Sequence, residues 1–226
     1  MKIIITGASG MVGQAALIES LNSPTVSEIL IINRKSIELK HPKLKELLIA
    51  DYSEIPFHTD KFIGYDGCLH CMGISAVGID EIDYTKITFG YSKILFDSLL
   101  KINPDMKIIY VSGAGTDSTE KGNYMWARIK GKTENYLLNL GFKDAYAFRP
   151  GIILPEKGVK SKTAWYNAMY SILRPVFPLI KKMKGTIGSS DLGKAMLSLL
   201  KKPIVLKIID PLQIKNLAKN FTENDY

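Results

Sequence analysis

Short, continuous runs of apolar and mostly β-branched residues alternate along this chain with longer segments whose apolar positions recur at helical spacing. The runs lie near residues 3–5, 28–33, 46–51, 65–72, 107–112 and 145–149, and each gives way to a polar residue or a glycine. Unbroken apolar runs are what strands buried on both faces require. Between them, 80–102 places Ile87, Tyr91, Ile94, Leu95, Ser98 and Leu99 on one side of a helix stopped by Asn103-Pro104, and 125–140 reads as a helix closed by Gly141. Near the end, 190–200 reads as a helix capped by Ser189 or Ser190, with a last strand over 204–209. Strands and helices in this alternation predict an α/β fold, a doubly wound parallel sheet with helices on both faces.

The first of these units carries the strongest chemical signal. Ile3-Ile4-Ile5 runs through Thr6-Gly7-Ala8-Ser9-Gly10-Met11-Val12-Gly13 into an apolar helical pattern. Gly7 allows the tight turn, Gly10 lets a pyrophosphate approach the backbone, and Gly13 lets helix and strand close on each other. The helix start offers unpaired N–H groups and the positive end of the helix dipole, so the unit reads as a phosphate cradle. In a doubly wound sheet the carboxyl ends of the strands face the ligand, which brings in Asn33 and Asp51. Asn33 stands twenty residues after Gly13, where a protein preferring NAD carries a ribose-binding acid, and Arg34-Lys35 follow it. A guanidinium forks onto phosphate oxygens that a carboxylate would repel, so the expected cofactor is NADP rather than NAD.

Length and composition add bounds. With 226 residues, 46% hydrophobic and 23% charged, the chain is globular and supports one core with a small appendage. The expected division is a cofactor-binding core over 1–150 and a substrate-side lid over 151–226, whose late helix and strand complete the core. Thr6 to Gly10 interrupt the opening apolar run too early for a signal peptide, and a soluble, cytoplasmic protein is expected. Lys+Arg and Asp+Glu number 17 and 17 over residues 1–150 but 13 and 5 over 151–226, so the whole +8 net charge lies in the last third. That excess suits an anionic substrate near Arg149, Lys157, Lys160 and Lys162, or an acidic membrane surface met by Trp165, Tyr166, Tyr170, Phe177 and Lys181-Lys182-Lys184. The substrate version is preferred: a small molecule as partner, no nucleic acid, and no binding to anionic vesicles. Cys68 and Cys71 fall on a strand, where residues three apart face opposite ways, and are read as structural. His41, His58 and His70 show no ligand spacing, so no metal is expected.

Thr6-Gly7-x-x-Gly10-x-x-Gly13, Val111-Ser112, Lys130, Phe148-Arg149-Pro150-Gly151 and Ser190-Asp191-Leu192-Gly193-Lys194-Ala195, in this order and at these separations, resemble the extended and atypical short-chain dehydrogenases/reductases. Within that superfamily the short substrate region and the loop Val111-Ser112-Gly113-Ala114-Gly115 look like the Tat-interacting-protein-like and NAD-dependent-epimerase-like branch. The resemblance implies a Rossmann fold and a cofactor site drawn from Thr6, Gly7, Ser9, Gly10, Met11, Val12, Gly13, Asn33, Arg34, Asp51, Tyr52, Cys71, Gly73, Lys130, Arg149 and Pro150. Asp51-Tyr52 would meet the adenine, and the turn at Cys71 to Gly73 the adenine-side ribose.

The same resemblance implies a reaction in which a Ser or Thr holds a carbonyl or hydroxyl and a Tyr passes the proton. A Lys four residues after the Tyr binds the nicotinamide ribose and lowers the Tyr pKa. Ser112 fits the first role and Lys130 the third, but Trp126 occupies the Tyr position, and an indole N–H is no general acid near neutral pH. Tyr124, six residues from Lys130, lies about 240° round a helix and off that face unless the first turn is unwound. Three functions stay open: a reductase or dehydrogenase passing hydride between NADP(H) and a small carbonyl or hydroxyl with a degraded proton donor, a non-catalytic NADP(H)-binding regulatory or interaction protein, and a sugar-nucleotide epimerase or dehydratase.

Overall fold

The computed structural model describes residues 1–159 and 185–221. β1 (Lys2–Thr6), β2 (Glu28–Asn33), β3 (Leu44–Leu48), β4 (Gly67–His70), β5 (Lys107–Val111), β6 (Ala145–Phe148) and a final β9 (Ile208–Ile209) form a seven-stranded sheet in the order β3-β2-β1-β4-β5-β6-β9. Every pairing is parallel. The order reverses between β1 and β4, which is where such sheets open a crevice at the carboxyl ends of their strands. β7 (Ile152–Leu154) and β8 (Thr186–Gly188) make a separate parallel pair.

The apolar runs become strands because both faces of the sheet are covered. On one side α1 (Met11–Asn22), α5 (Ser189–Lys201) and α6 (Pro211–Lys219) enclose Ile3, Ile5, Ile29, Ile31, Leu69, Ile109 and Phe148. On the other, a kinked 3₁₀ segment (Tyr52–Phe62), α3 (Tyr91–Ile102) and α4 (Met125–Asn139) enclose Ile4, Leu30, Ile32, Cys68, Ile108 and Tyr110. Alternate residues of one strand therefore feed two cores. The helix expected over 80–102 is α2 (Glu81–Thr85), a π turn (Lys86–Gly90) and α3 in series.

Several expected boundaries shift. The third strand is Leu44–Leu48 rather than 46–51, because Asp51 caps the 3₁₀ segment that follows, its side chain accepting from Ser53 N at 2.8 Å. The last strand is only two residues long, since only Ala147 and Phe148 of β6 pair with it. No Ser caps α5: its N-cap is Gly188, and the Glu156 carboxylate instead accepts from Ser190 N at 3.2 Å. The stretch of Trp165, Tyr166, Tyr170 and Phe177, with Lys160, Lys162 and Lys181-Lys182-Lys184, lies outside the described residues.

The basic last third rejoins the core through one close crossing. A Cβ on Gly193 would lie 2.7 Å from Glu19 Cγ and 2.8 Å from Ala15 O, so α5 meets α1 backbone to backbone. Gly193→Ala is expected to destabilise the protein by about 1–3 kcal/mol through overpacking, read as a lower midpoint in urea denaturation with an unchanged slope.

Candidate functional site

The site begins at the turn after β1. Gly7 takes φ +68, and a Cβ there would sit 2.8 Å from Cys71 O and Met72 N, so the turn presses against the end of β4. A Cβ on Gly13 would fall 2.2 Å from Gly7 O, so α1 can start beside the strand only with glycine there. Gly10 is the N-cap of α1 with no side-chain cap, and the first turn of the helix holds no acidic residue. Its N–H groups, those of Met11 and Val12 among them, stay available to an anion.

Beside this turn a cleft of about 200 Å³ is lined by Gly7, Ser9, Gly10, Ile32, Asn33, Arg34, Ala50, Tyr52, Cys71, Met72, Gly73, Ile74, Ile87 and Tyr91. The Tyr52 and Tyr91 rings stack at 5.5 Å between centroids. Asn33 is 5% exposed, and its Nδ2 has no hydrogen-bond partner among the described residues. A buried amide donor left unpaired is costly, and this one borders an open cleft. Arg34 lines the same cleft from an exposed position and makes no ion pair among the described residues.

Of the expected cofactor residues, Gly7, Ser9, Gly10, Asn33, Arg34, Tyr52, Cys71 and Gly73 meet here. No protein atom lies within 4 Å of where a Cβ on Gly73 would be, so no protein contact requires glycine there. Thr6 departs from expectation: it is fully buried, and its hydroxyl bonds His70 Nδ1 at 2.8 Å. Asp51 departs too. Its carboxylate takes Ser53 N and the Tyr91 hydroxyl (3.1 Å), and the hydrogen bonds from Ser53, with a smaller one from Tyr91, hold it below the usual carboxylate range. It bears on the cleft through the Tyr91 hydroxyl and is not among the residues lining it. Gly13 and Val12 pack behind the turn.

A second group gathers at the ends of β5 and β6, and here the expected chemistry does not assemble. Ser112 turns inward: its hydroxyl donates to Glu134 Oε1 in a short hydrogen bond and lies 3.0 Å from the Phe148 carbonyl. Glu134, wholly buried on α4, is in turn gripped by Arg149, whose Nε lies 3.0 Å from Oε1 and whose Nη2 binds Oε2 and Ser118 Oγ. Ser112 therefore anchors a buried ion pair and is not presented to a substrate. Arg149 is committed to the same pair, which differs from the expected role beside an anion or cofactor. Buried Pro150 accepts from Ala114 N at 2.8 Å and ties the β5–α4 loop to β6. Lys157 likewise pairs with the buried Glu19 at 2.7 Å, which Ser190 Oγ also reaches at 2.7 Å.

The side chain that would face Lys130 is that of residue 113. A Cβ on Gly113 would lie 3.9 Å from Lys130 Nζ, but the residue is glycine at φ +148. Half-buried Lys130 donates to Ser112 O in a short bond, and burial draws its ammonium down to about 8 against the pull of Glu134. Trp126, one turn earlier on the same face, lays its ring over Gly115, 3.2 Å from where a Cβ would be. Tyr124 is the N-cap of α4 in an extended conformation and is 71% exposed. Among the described residues the Lys130 face thus holds an ammonium and an indole, with no hydroxyl or phenol hydrogen-bonded to the ammonium. Glu134 and His70 are the polar groups that sequence reading missed; the spacing Lys130-x-x-x-Glu134 on one helix face was the available signal. The Cys68 and Cys71 thiols are both pushed up by burial, Cys71 to about 12.

No protein-family model matches the chain. The mitochondrial protein FMP52 of Candida albicans is 26% identical over 227 residues, 90% of this chain and 90% of its own. Protein HTATIP2 of Rattus norvegicus is 20% identical over 221 residues, 92% of this chain and 88% of its own. Among solved structures, a short-chain dehydrogenase/reductase of Saccharomyces cerevisiae superposes with TM-score 0.63 at 16% identity over 90% of this chain and 91% of that one. The Bordetella bronchiseptica enzyme WbmH, solved with NAD+, gives 0.66 at 17% over 89% and 72%. Among the described residues no helix is long and apolar enough to cross a membrane.

The depressed Lys130 value has a measurable consequence. A lysine that titrates lower in the folded chain than in the unfolded one destabilises the fold while charged, and the penalty is relieved as pH rises from about 8 towards the model-peptide value. In chemical denaturation at stepped pH, Lys130→Met is expected to lose ground relative to wild type between pH 8 and 10.5; a constant difference would contradict the assignment. Glycine turn, cleft, parallel sheet and structural likeness agree on the fold: a Rossmann-like α/β sheet, similar to that of short-chain dehydrogenases/reductases.

Proposed function

We propose that the chain binds NADP(H) along the carboxyl edge of its sheet and is an oxidoreductase-type protein whose described residues place no side-chain acid for carbonyl reduction. Asn33 carries the reading. Its unpaired buried amide needs an acceptor from the cleft, which a ribose hydroxyl supplies, and it puts no negative charge where a 2′-phosphate would lie. The adenine takes the space walled by Ile32, Tyr52, Ile74, Ile87 and Tyr91, the pyrophosphate meets the uncapped start of α1, and Arg34 meets the 2′-phosphate. Lys130 is assigned to the nicotinamide ribose.

When bound, the dinucleotide supplies a hydride to, or takes one from, a carbon of a small carbonyl or hydroxyl substrate. The chain's own part is to hold and orient it: the ammonium of Lys130 stabilises negative charge on a nearby oxygen, and the proton for a reduced carbonyl comes from water. The NAD+ held by WbmH supports nicotinamide dinucleotide binding in this fold, and the choice of NADP rests on Asn33 and Arg34 alone. Gly113 and Trp126 favour a second reading, a non-catalytic NADP(H)-binding protein. A cytoplasmic location belongs to this proposal, and cell fractionation separates it from the mitochondrial label of the FMP52 relative.

Calorimetric titration is expected to show NADPH bound roughly 10- to 100-fold more tightly than NADH, the worth of a charge-assisted phosphate contact. Arg34→Ala should abolish that difference, and equal affinities in the wild type would refute the NADP preference. Trp126→Tyr restores a phenol on the Lys130 face and should raise NADPH-dependent turnover of aldehydes or ketones by up to about 10²-fold with little change in affinity. No turnover in either protein would decide for the binding function.

A further inference from the structure

Beneath the cleft lies a buried hydrogen-bond chain centred on His70, with the Tyr52 hydroxyl also against Thr6. Ser92 Oγ donates to Thr88 O at 2.6 Å, which uses its only hydrogen. Its 2.8 Å contact with His70 Nε2 must then have the histidine as donor, so His70 carries its proton on Nε2 and leaves Nδ1 bare. Thr6 Oγ1, 2.8 Å from Nδ1, donates to it, and the Thr6 oxygen accepts from Met72 N at 3.3 Å. The chain runs from Met72 N–H through Thr6 and His70 to Ser92 and the Thr88 carbonyl. Burial keeps the ring neutral, drawing its pKa down to about 3, and Phe96 edge-on at 5.1 Å and Tyr110 at 5.6 Å between centroids hold its plane.

The two ends of this chain belong to opposite walls of the cleft. Met72, with Cys71, Gly73 and Ile74, forms one wall; Ile87 and Tyr91, which flank Thr88 and precede Ser92, form the other. Thr88 lies inside the π turn Lys86–Gly90, a local irregularity of the kind often retained at functional sites. None of Thr6, His70, Thr88 and Ser92 lines the cleft. A neutral imidazole in a single tautomer is a spacer with a donor at one end and an acceptor at the other.

We infer that His70 is a positioning residue for the cleft, setting the separation of its Met72 and Tyr91 walls through Thr6 and Ser92, and so the affinity for the adenosine half of the dinucleotide. The inference rests on the reading that this cleft takes the adenosine. Adenosine 2′,5′-bisphosphate is the probe, because it occupies the adenosine half alone. Ser92→Ala, which removes the acceptor of Nε2, is expected to weaken it about tenfold, the scale of one lost buried hydrogen bond, with NADPH weakened by the same factor. Thr6→Val should act likewise, and Thr6→Ser, which keeps the hydroxyl, should bind as wild type. The double variant Thr6→Val/Ser92→Ala should lose clearly less than the product of the single losses, since both act through one ring.

A purely structural role predicts a lower melting temperature with the probe affinity of the folded variant unchanged. That result for Ser92→Ala, or strict additivity in the double variant, overturns the inference while leaving the dinucleotide site standing. If wild type binds neither the probe nor NADPH, the binding proposal fails and this inference fails with it. Should Ser92→Ala not fold, the Thr6→Val and Thr6→Ser pair decides by the same affinities. In wild-type protein, ¹⁵N spectroscopy of the imidazole should report a bare Nδ1 and a protonated Nε2; the opposite tautomer overturns the inference.

Discussion

The architecture depends on how closely the start of α1 lies against the turn after β1. With a Gly13 Cβ position only 2.2 Å from Gly7 O, any side chain there would drive helix and strand apart. That displacement would carry the first-turn N–H groups away from the strand ends and open the cleft wall at Cys71 and Met72, against which Gly7 itself is pressed. Because β1 is a central strand, paired with β2 and β4 on either side, the turn fixes the level at which the crevice opens. A second glycine contact, Gly193 against Ala15, sets α5 on the outer side of the same helix. α1 is thus held between two backbone contacts, which suits a helix whose N-terminus is to meet a charged ligand.

Polar groups near the ends of β5 and β6 show the opposite allocation. Ser112, Glu134 and Arg149 satisfy one another in the interior, and a buried carboxylate without the guanidinium would be strongly destabilising. The serine and arginine that sequence motifs associate with substrate and cofactor are therefore committed to holding α4 against the sheet. Lys130 remains beside a glycine and one turn from an indole, with no phenol beside it among the described residues. The likeness to dehydrogenases extends through the fold and the glycine turn and weakens around Ser112 and Lys130.

The charge excess of the last third is also partly absorbed by the fold. Lys157 meets the buried Glu19 carboxylate of α1, which Ser190 at the start of α5 also contacts, and Glu156 caps α5 by accepting from Ser190 N. These contacts bind three separate stretches of chain into one joint at the rim of the sheet. Lys157, counted with the ligand surface in the sequence, is thus a counter-ion to a buried carboxylate.

What the sequence determined by itself is the class of fold and the position of the glycine turn that borders the cleft. Strands buried on both faces must be apolar throughout, and a helix start that approaches a strand this closely tolerates only glycine, so both leave local marks in the residue order. Asn33 and Arg34 were legible for a related reason, since distance along the chain from Gly13 measures position across a parallel sheet. Tertiary structure alone decided which way several polar side chains point: Ser112 inward to Glu134, the Tyr91 hydroxyl onto Asp51, Thr6 to His70, Arg149 onto Glu134. Their partners lie 22 residues away for Ser112, 40 for Tyr91 opposite Asp51 and 64 for Thr6. A buried polar group must be paired by whatever the fold brings beside it, and that neighbour is set by strand order rather than by spacing along the chain.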